Sequence, residues 1–445
     1  LARMNLAVNG LRGEIAPAIT YYDDAFGSVG KFDYVLANPP FNVDDVALSA
    51  VENDPRFNAY GIPRKKTKAK KSEQGKETVP NANYLWINLF ATSLSDRGRA
   101  ALVMANSASD ARHSEADIRQ RLIEANLIGG MLTLPSNMFY TVTLPATLWF
   151  FDRDKPDDRV LFIDARNIFT PIDRAHREFS EEQIQNIAII SRLRHGRRAE
   201  FTALIDGYFA TGMERLAANQ QQVEPVSAQL LDVLDDKAGQ EAVDGLVKTW
   251  ADLAPLEKAF AEYEVGRADP SAPSVEAHNT AQRELRATFD PFFTALHAGL
   301  KRIDQAVRRH EKTLAEKAQA KGKRTTTDRQ TKALKTALEA LHAEVKNAEA
   351  CFGHIAWLQE RFPTATYEDV TGLCKLATRA EIEEQDWSLN PGRYVGVVIE
   401  VDGKTEEEFL NDIVDLNDRL TALSLDAAEL GKVIDSNINK ISPSS

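Results

Sequence analysis

Two cysteines in 445 residues, Cys351 and Cys374, exclude a disulfide framework. Free thiols fit a reducing cytoplasm, and both cysteines read as packing groups among apolar helical residues. The eight histidines never approach one another or a cysteine at ligand spacing, so no zinc site is expected. No run approaches the roughly 20 apolar residues of a membrane-spanning helix, and the opening residues lack the pattern of a secretory signal. A Gly-x-x-x-x-Gly-Lys-Ser/Thr loop is missing as well, which removes any suggestion of a translocating ATPase. Net positive charge is also lacking. At -12 the chain is a poor self-sufficient DNA binder, although one local basic patch beside a partner subunit remains open to it.

What is present describes a chain of two to three domains with ample core, 43% hydrophobic and 27% charged. Up to about residue 200, short apolar runs alternate with helical stretches. Strands are expected at 32–37, 100–105, 130–134, 146–151 and 160–164, with helices at 83–94 and 115–125 between them. That alternation predicts an α/β fold with a largely parallel sheet, in which the last two strands form an antiparallel edge hairpin. The opening residues Leu1–Ala7 read as a helix already under way, and a first residue other than methionine suggests a fragment.

Residues 201–289 are polar, alanine-rich and helical in pattern, broken at Asp269-Pro270-Ser271-Ala272-Pro273-Ser274. Asp290-Pro291 suits a helix start. Leu296, Leu300, Ile303, Val307 and Leu314 then follow helical spacing, and a basic loop at 321–324 leads to a second run, Leu334, Leu338, Leu341, Val345, Ala348, Phe352 and Ile355. Those intervals alternate four and three, the seam of a coiled coil, and predict an antiparallel helical hairpin over 290–361. A tail over 362–445 ends in an acidic amphipathic helix carrying Phe409, Ile413, Leu416, Leu420 and Leu423.

The chemistry concentrates at Phe32-Asp33-Tyr34-Val35-Leu36-Ala37-Asn38-Pro39-Pro40-Phe41. An apolar, β-prone run stops at two prolines, which cannot donate to a ladder and hold the chain extended. The result is a rigid ledge at the carboxyl end of a strand, where open α/β sheets bind ligands. The Asn38 side-chain oxygen and the Pro39 carbonyl are acceptors, and Phe41 is an aromatic plate. Those parts suit a planar, amino-bearing ring such as adenine. The competing reading of the segment is a strand that happens to end in a proline turn.

Asn38–Phe41 resembles motif IV of the S-adenosylmethionine-dependent amino-methyltransferases, and its surroundings resemble the modification (M) subunit of type I restriction-modification systems, an adenine-N6 DNA methylase. Asp54-Pro55-Arg56-Phe57, Tyr60-Gly61-Ile62-Pro63, Ala82-Asn83-Tyr84-Leu85-Trp86-Ile87, Gly98–Met104 and Leu389-Asn390-Pro391-Gly392-Arg393-Tyr394 share the likeness. It is strong over about residues 1–200 and patchy near 385–396. It implies a Rossmann-like methyltransferase sheet, incomplete at its N-terminus, followed by a mostly α-helical region. It also implies S-adenosyl-L-methionine as cofactor, with Asn38, Pro39, Pro40 and Phe41 as the catalytic set and Asn38 also touching the cofactor. Asp24 matches the acid near the cofactor adenine, with Asp23 as the alternative, although the two adjacent acids read equally well as turn formers. Phe139, with Tyr140 as substitute, matches the aromatic that packs on the flipped base; each also reads as a hydrophobic plug. The run Arg64, Lys65, Lys66, Lys68, Lys70 and Lys71 would contact DNA phosphates, unless it is simply a solvated charged loop.

The partners so implied are double-stranded DNA with a flipped adenine, a specificity (S) subunit, a second M subunit and the restriction (R) subunit, with no membrane. The family's glycine-rich cofactor loop has no counterpart in the sequence, so weak cofactor binding by this chain alone is expected. The helical hairpin and tail are expected to dock the specificity subunit. Two other readings compete: a methyltransferase for a protein glutamine, whose motif usually carries tyrosine in place of Phe41, and a non-catalytic fragment that holds a partner.

Overall fold

The computed structural model describes residues 1–65, 77–139, 143–267, 274–320 and 329–397, with four helical positions beyond them, 427, 430, 431 and 434. Leu1–Gly396 forms one compact unit and Val397–Ser445 another. Lys66, Lys68, Lys70, Lys71, Tyr140, the basic loop at 321–324 and the apolar positions named on the terminal helix lie outside the described residues.

Helix α1 (Ala2–Val8) buries none of its residues. Strand β1 (Phe32–Ala37) is followed by the short helices α2 (Leu48–Val51) and α3 (Pro55–Asn58) and by α4 (Asn83–Ser93). Strand β2 (Leu94–Ala105), a 3-10 turn (Asn106–Asp110), α5 (Ser114–Glu124), β3 (Ile128–Thr133), β4 (Ala146–Asp152) and β5 (Val160–Asp164) come next. A small ribbon of β6 (Thr170–Pro171) and β7 (Arg177–Glu178) precedes the helices α6 (Glu181–Arg194), α7 (Arg198–Val233), α8 (Lys237–Ala251), α9 (Leu253–Arg267), α10 (Val275–Ala320) and α11 (Arg329–Arg361). The chain then returns to the sheet as β8 (Cys374–Ala377) and closes the unit with α12 (Arg379–Glu384) and a turn at Pro391–Arg393.

The six strands run in the order β1-β2-β4-β3-β5-β8. This corrects the expectation of a largely parallel sheet. Pairs β1–β2 and β3–β5 are parallel, whereas β2–β4, β3–β4 and β5–β8 are antiparallel. The β3–β4 connection carries Pro135 and Pro145 and has no crossover helix among its described residues, and β4 doubles back to slot between β2 and β3. The expected β4–β5 edge hairpin is likewise absent, because β3 lies between those strands. The α/β class itself holds, with a Rossmann-like β1–α4–β2 crossover and a mostly helical region after the sheet. At the β1–β2 pairing a bulge lies between Phe32 and Tyr34, and a Cβ on Gly98 would sit 2.7 Å from the Phe32 carbonyl oxygen. Only glycine permits that approach.

Helices α4 and α5 cover one face of the sheet, with Tyr84, Ile87, Leu122, Met131, Trp149 and Phe162 buried between them. The other face, with Leu132, Leu161 and Ile163, joins α6, α7 and the long helices in a single core. Cys374 packs on strand β8 rather than on a helix, whereas Cys351 lies on α11 as expected. Pro291 corrects a second expectation. It sits inside α10 instead of starting a helix, because Leu285, Phe289, Phe292 and Phe293 bury a continuous apolar stripe through it. That burial offsets the ~3 kcal/mol an internal proline costs. The seam residues of α11 from Leu334 to Ile355 are buried as their spacing requires, but α11 packs chiefly along α7, and α10 chiefly along α8. Among the described residues, no helix is long and apolar enough to cross a membrane.

A buried polar network joins α4 to α5. Tyr84 Oη donates to the Ala108 carbonyl at 2.7 Å, and Arg119 Nη1 reaches Tyr84 Oη at 3.2 Å and the Ala111 carbonyl at 2.7 Å. Burial pushes the Glu115 carboxyl up to about 6 despite the opposing pull of Arg119, and its Oε1 is buried without a hydrogen bond. An acid raised by folding stabilises below its unfolded pKa and loses that contribution as pH rises through its folded one. Glu115→Gln is therefore expected to melt above the wild type at about pH 7.5, with the gap closing near about pH 4. A gap independent of pH would reject this reading of Glu115.

Candidate functional site

Strand direction gathers the candidate residues at one edge. Because β1 and β2 run parallel, their carboxyl ends meet, and the antiparallel β4 begins at that same end. The carboxyl ends of β3 and β5 share it too. The Asn38–Phe41 ledge, the Asn106–Asp110 turn and the loop carrying Phe139 therefore line one edge of the sheet. From β1 to β3 is three strand spacings, or about 14 Å, so the Phe139 loop must lean across β4 to meet a ring seated on the ledge.

Within the ledge Asn38 and Pro40 are exposed, Pro39 is buried and Phe41 is half-buried. Neither the Asn38 side chain nor the Pro39 carbonyl has a hydrogen-bond partner among the described residues. Two unpaired acceptors thus lie just past the last β1 pairing, Ala37 with Leu102. The chain immediately after Phe41 is braced. Asn42 takes a left-handed φ of 57°, which asparagine tolerates better than most residues. Its amide donates to Asn83 Oδ1 at 2.9 Å, and Asn83 Nδ2 returns a bond to Asn42 Oδ1 at 2.9 Å. Asn83 is itself buried at the first position of α4, and the Ala82 amide donates to the Val43 carbonyl at 2.7 Å. This reciprocal amide pair ties the ledge to the amino end of the crossover helix. Sequence reasoning passed over Asn83. A polar residue opening a helix rich in apolar residues was the available signal.

Asp24 is exposed, and both its carboxylate oxygens accept the Ser28 amide, at 3.0 and 2.9 Å, which is turn geometry. The neighbouring Tyr22 Oη accepts the Ala47 amide at 3.2 Å, and the buried Arg56 donates to the carbonyls of Thr20 and Asp23. Those bonds bring the 20–24 segment against the loop that follows the ledge. Phe139 is half-buried, packed with Met138 against the main core. Its loop is held by Arg177, whose amide donates to the Asn137 carbonyl at 3.0 Å and whose Nη1 reaches Ser136 Oγ at 3.3 Å. Of the basic run, Lys65 Nζ donates to Thr78 Oγ1 at 3.0 Å and Arg64 pairs with Glu52 at 3.4 Å. Thr78 bridges Ala47, so both cations border the loop leaving the ledge.

These residues fit the acceptor half of a methyl transfer. The donor half is fitted less well: Asp24 is engaged in a turn, and no glycine-rich loop adjoins the ledge among the described residues. A cavity of about 1070 Å³ opens elsewhere, between the sheet face and α6, lined by Tyr34, Leu36, Leu132, Phe150 and Ile187. It includes none of the ledge residues, and Arg99, Asp152, Lys155, Arg192, Arg194 and Arg197 add charged groups to its apolar lining.

Residues 1–206 match the family model described as N-6 DNA Methylase. The type I restriction enzyme MjaIX methylase subunit of Methanocaldococcus jannaschii is 38% identical over 196 residues, covering 42% of this chain and 32% of that protein. The type I restriction enzyme HindI methylase subunit of Haemophilus influenzae is 35% identical over 194 residues, covering 42% of this chain and 40% of that protein. Among solved structures, the methyltransferase subunit of a Streptococcus thermophilus type I restriction-modification system aligns at 25% identity with a TM-score of 0.36, over 42% of this chain and 38% of that one. The matched stretch spans about a third to two fifths of the curated relatives' length. Residues 1–206, the segment that carries the ledge, are thus similar to the N-6 DNA methylases and to the methylase subunits of type I restriction enzymes.

Proposed function

We propose that this chain carries the acceptor side of an adenine-N6 DNA methyltransferase and works as the modification subunit of a cytoplasmic type I restriction-modification complex. The observation that carries the reading is the pair of acceptors without a partner among the described residues, Asn38 Oδ1 and the Pro39 carbonyl, on a braced ledge at the carboxyl edge of the sheet. The amino group of adenine is a poor nucleophile because its lone pair is drawn into the ring. Hydrogen bonds from its two protons to fixed acceptors favour a pyramidal nitrogen and aim the lone pair outward. Positioning of this kind removes roughly 7–11 kcal/mol from a barrier at best. S-adenosyl-L-methionine supplies the electrophilic methyl group when bound. Phe41 would stack on the base once it is swung out of the duplex, which the chemistry requires because a paired amino group is out of reach. Phe139 would close on the other face, with Asp24 toward the cofactor.

DNA, a specificity subunit, a second modification subunit and a restriction subunit are the partners of this reading. The direct test incubates the chain and its specificity subunit with DNA and S-adenosylmethionine labelled in the methyl group. Label recovered in N6-methyladenine supports the proposal, and label in protein glutamine supports the competing one. The cations bordering the ledge give a second test. Replacing Arg64 and Lys65 by alanine should weaken DNA binding and flatten its salt dependence, by about 0.9 in log–log slope for each phosphate the protein no longer neutralises. An unchanged slope would assign both residues to the surface alone.

A further inference from the structure

The Leu389-Asn390-Pro391-Gly392-Arg393-Tyr394 segment has no part in the reaction as described so far, yet it ends at the edge where the ledge lies. Ser388 Oγ donates to Asp110 Oδ1 at 2.6 Å, while Arg393 Nη2 and Asn390 Nδ2 reach Asp110 Oδ2 at 3.2 and 3.5 Å. The Leu389 amide donates to the Ser109 carbonyl at 2.9 Å. A second hold comes from Arg119, 3% exposed, whose Nε donates to the Trp387 carbonyl at 2.6 Å while its Nη1 holds the Ala111 carbonyl. Arg119 has no carboxylate partner within ion-pair distance among the described residues. Tyr394 anchors the segment from behind by stacking on Phe162 of β5, ring centroids 3.9 Å apart.

The bonds from Ser388, Leu389, Asn390 and Arg393 converge on Ser109 and Asp110 of one short element, the Asn106–Asp110 turn, from residues about 280 positions away. In the sheet order β2 stands between β1 and β4, so this turn separates the ledge from the strand that borders the Phe139 loop. At its near end Asn106 Oδ1 accepts the Thr147 hydroxyl at 2.7 Å, which ties the turn to β4. Where the segment begins, Asp386 and Trp387 both hold left-handed φ values, 53° and 56°. Such backbone costs of order 1–3 kcal/mol per residue and persists where the surroundings over-determine it. Apolar packing would bury as much surface without directional bonds. A charged, hydrogen-bonded hold instead fixes where the turn stands.

We infer that residues Trp387–Arg393 are a positioning latch for the methyl-transfer site, holding the Asn106–Asp110 turn in register with the Asn38–Phe41 ledge through Asp110 and Arg119. This rests on the function proposed above. Asp110, Ser388 and Arg393 are positioning residues, and none is assigned to touch substrate.

The test measures methyl transfer and amide hydrogen exchange in the full chain with its specificity subunit, comparing wild type with Asp110→Ala, Arg393→Ala and Arg393→Lys. Asp110→Ala should lower kcat at least about tenfold, since small misplacements of a positioned group cost that much or more. KM for S-adenosylmethionine should stay unchanged, and exchange should quicken at residues 106–111 alone. Arg393→Ala should show a smaller loss that Arg393→Lys restores. Because the Arg393 side chain is 43% exposed, that pair decides the matter if Asp110→Ala does not fold. An unchanged kcat, or loosening spread over the whole sheet, overturns the latch. A wild type that transfers no methyl group overturns the functional reading instead. Exchange then decides the latch: quickening confined to 106–111 upholds it, and its absence overturns it.

Discussion

Replacing Asn38 by alanine is expected to cut methyl transfer to DNA by at least about a hundredfold, the usual cost of removing one preorganised hydrogen-bonding group from an active site. Folding should survive the change, because Asn38 is exposed and its side chain has no partner among the described residues. The ledge backbone would also stay in place, since Pro39, Pro40 and the Asn42–Asn83 amide pair hold it independently. What disappears is one of two acceptors for the amino protons. The nitrogen then remains closer to planar, with its lone pair in the ring. Binding of S-adenosylmethionine and DNA should change far less than kcat, because the interaction strengthens only as the nitrogen reacts. The check is labelled methyl transfer under single-turnover conditions beside a melting curve. A variant with wild-type kcat would remove Asn38 from the chemistry altogether.

Replacing Trp149 by alanine should destabilise the Leu1–Gly396 unit by about 3–5 kcal/mol, the range for deleting a large aromatic from a core. The indole is fully buried on β4, edge-on to Tyr84 at 6.2 Å and stacked with Phe151 at 6.5 Å. Its Nε1 is buried without a hydrogen bond, so the loss is one of packing and leaves no orphaned partner. Tyr84 also bonds to Ala108 in the Asn106–Asp110 turn, so part of the loosening should reach the candidate site. Denaturant unfolding measures the effect through the midpoint at constant m-value. A loss below about 1 kcal/mol would mean that Tyr84 and Phe151 close the cavity.

The ledge was legible because its signal is local. Two prolines after a β-prone run fix a strand end whatever the rest of the chain does, and Asn38 and Phe41 fall at set places on it. The heptad-like spacing on α11 was legible for the same reason. The direction of β4 was not, because an apolar strand reads alike whether it runs parallel or antiparallel, and its neighbours are chosen by pairing across the sheet. Nor could the return of Cys374–Ala377 to the sheet edge be read, since its partner β5 lies about two hundred residues earlier. Pro291 inside α10 misled for a related reason: a local cost was outweighed by an apolar stripe whose value depends on the helices packed against it.

The sequence by itself determined the ledge, a strand end followed by Asn38, Pro39, Pro40 and Phe41, because that order is written in covalent neighbours. Tertiary structure decided what holds the ledge and what stands beside it: Asn83 bonded to Asn42, Arg119 to Trp387, and Asp110 to Ser388 and Arg393. Each of those bonds joins residues tens to hundreds of positions apart. Such pairs form when the burial of apolar faces has offset the entropy of bringing distant segments together, and no local pattern encodes them.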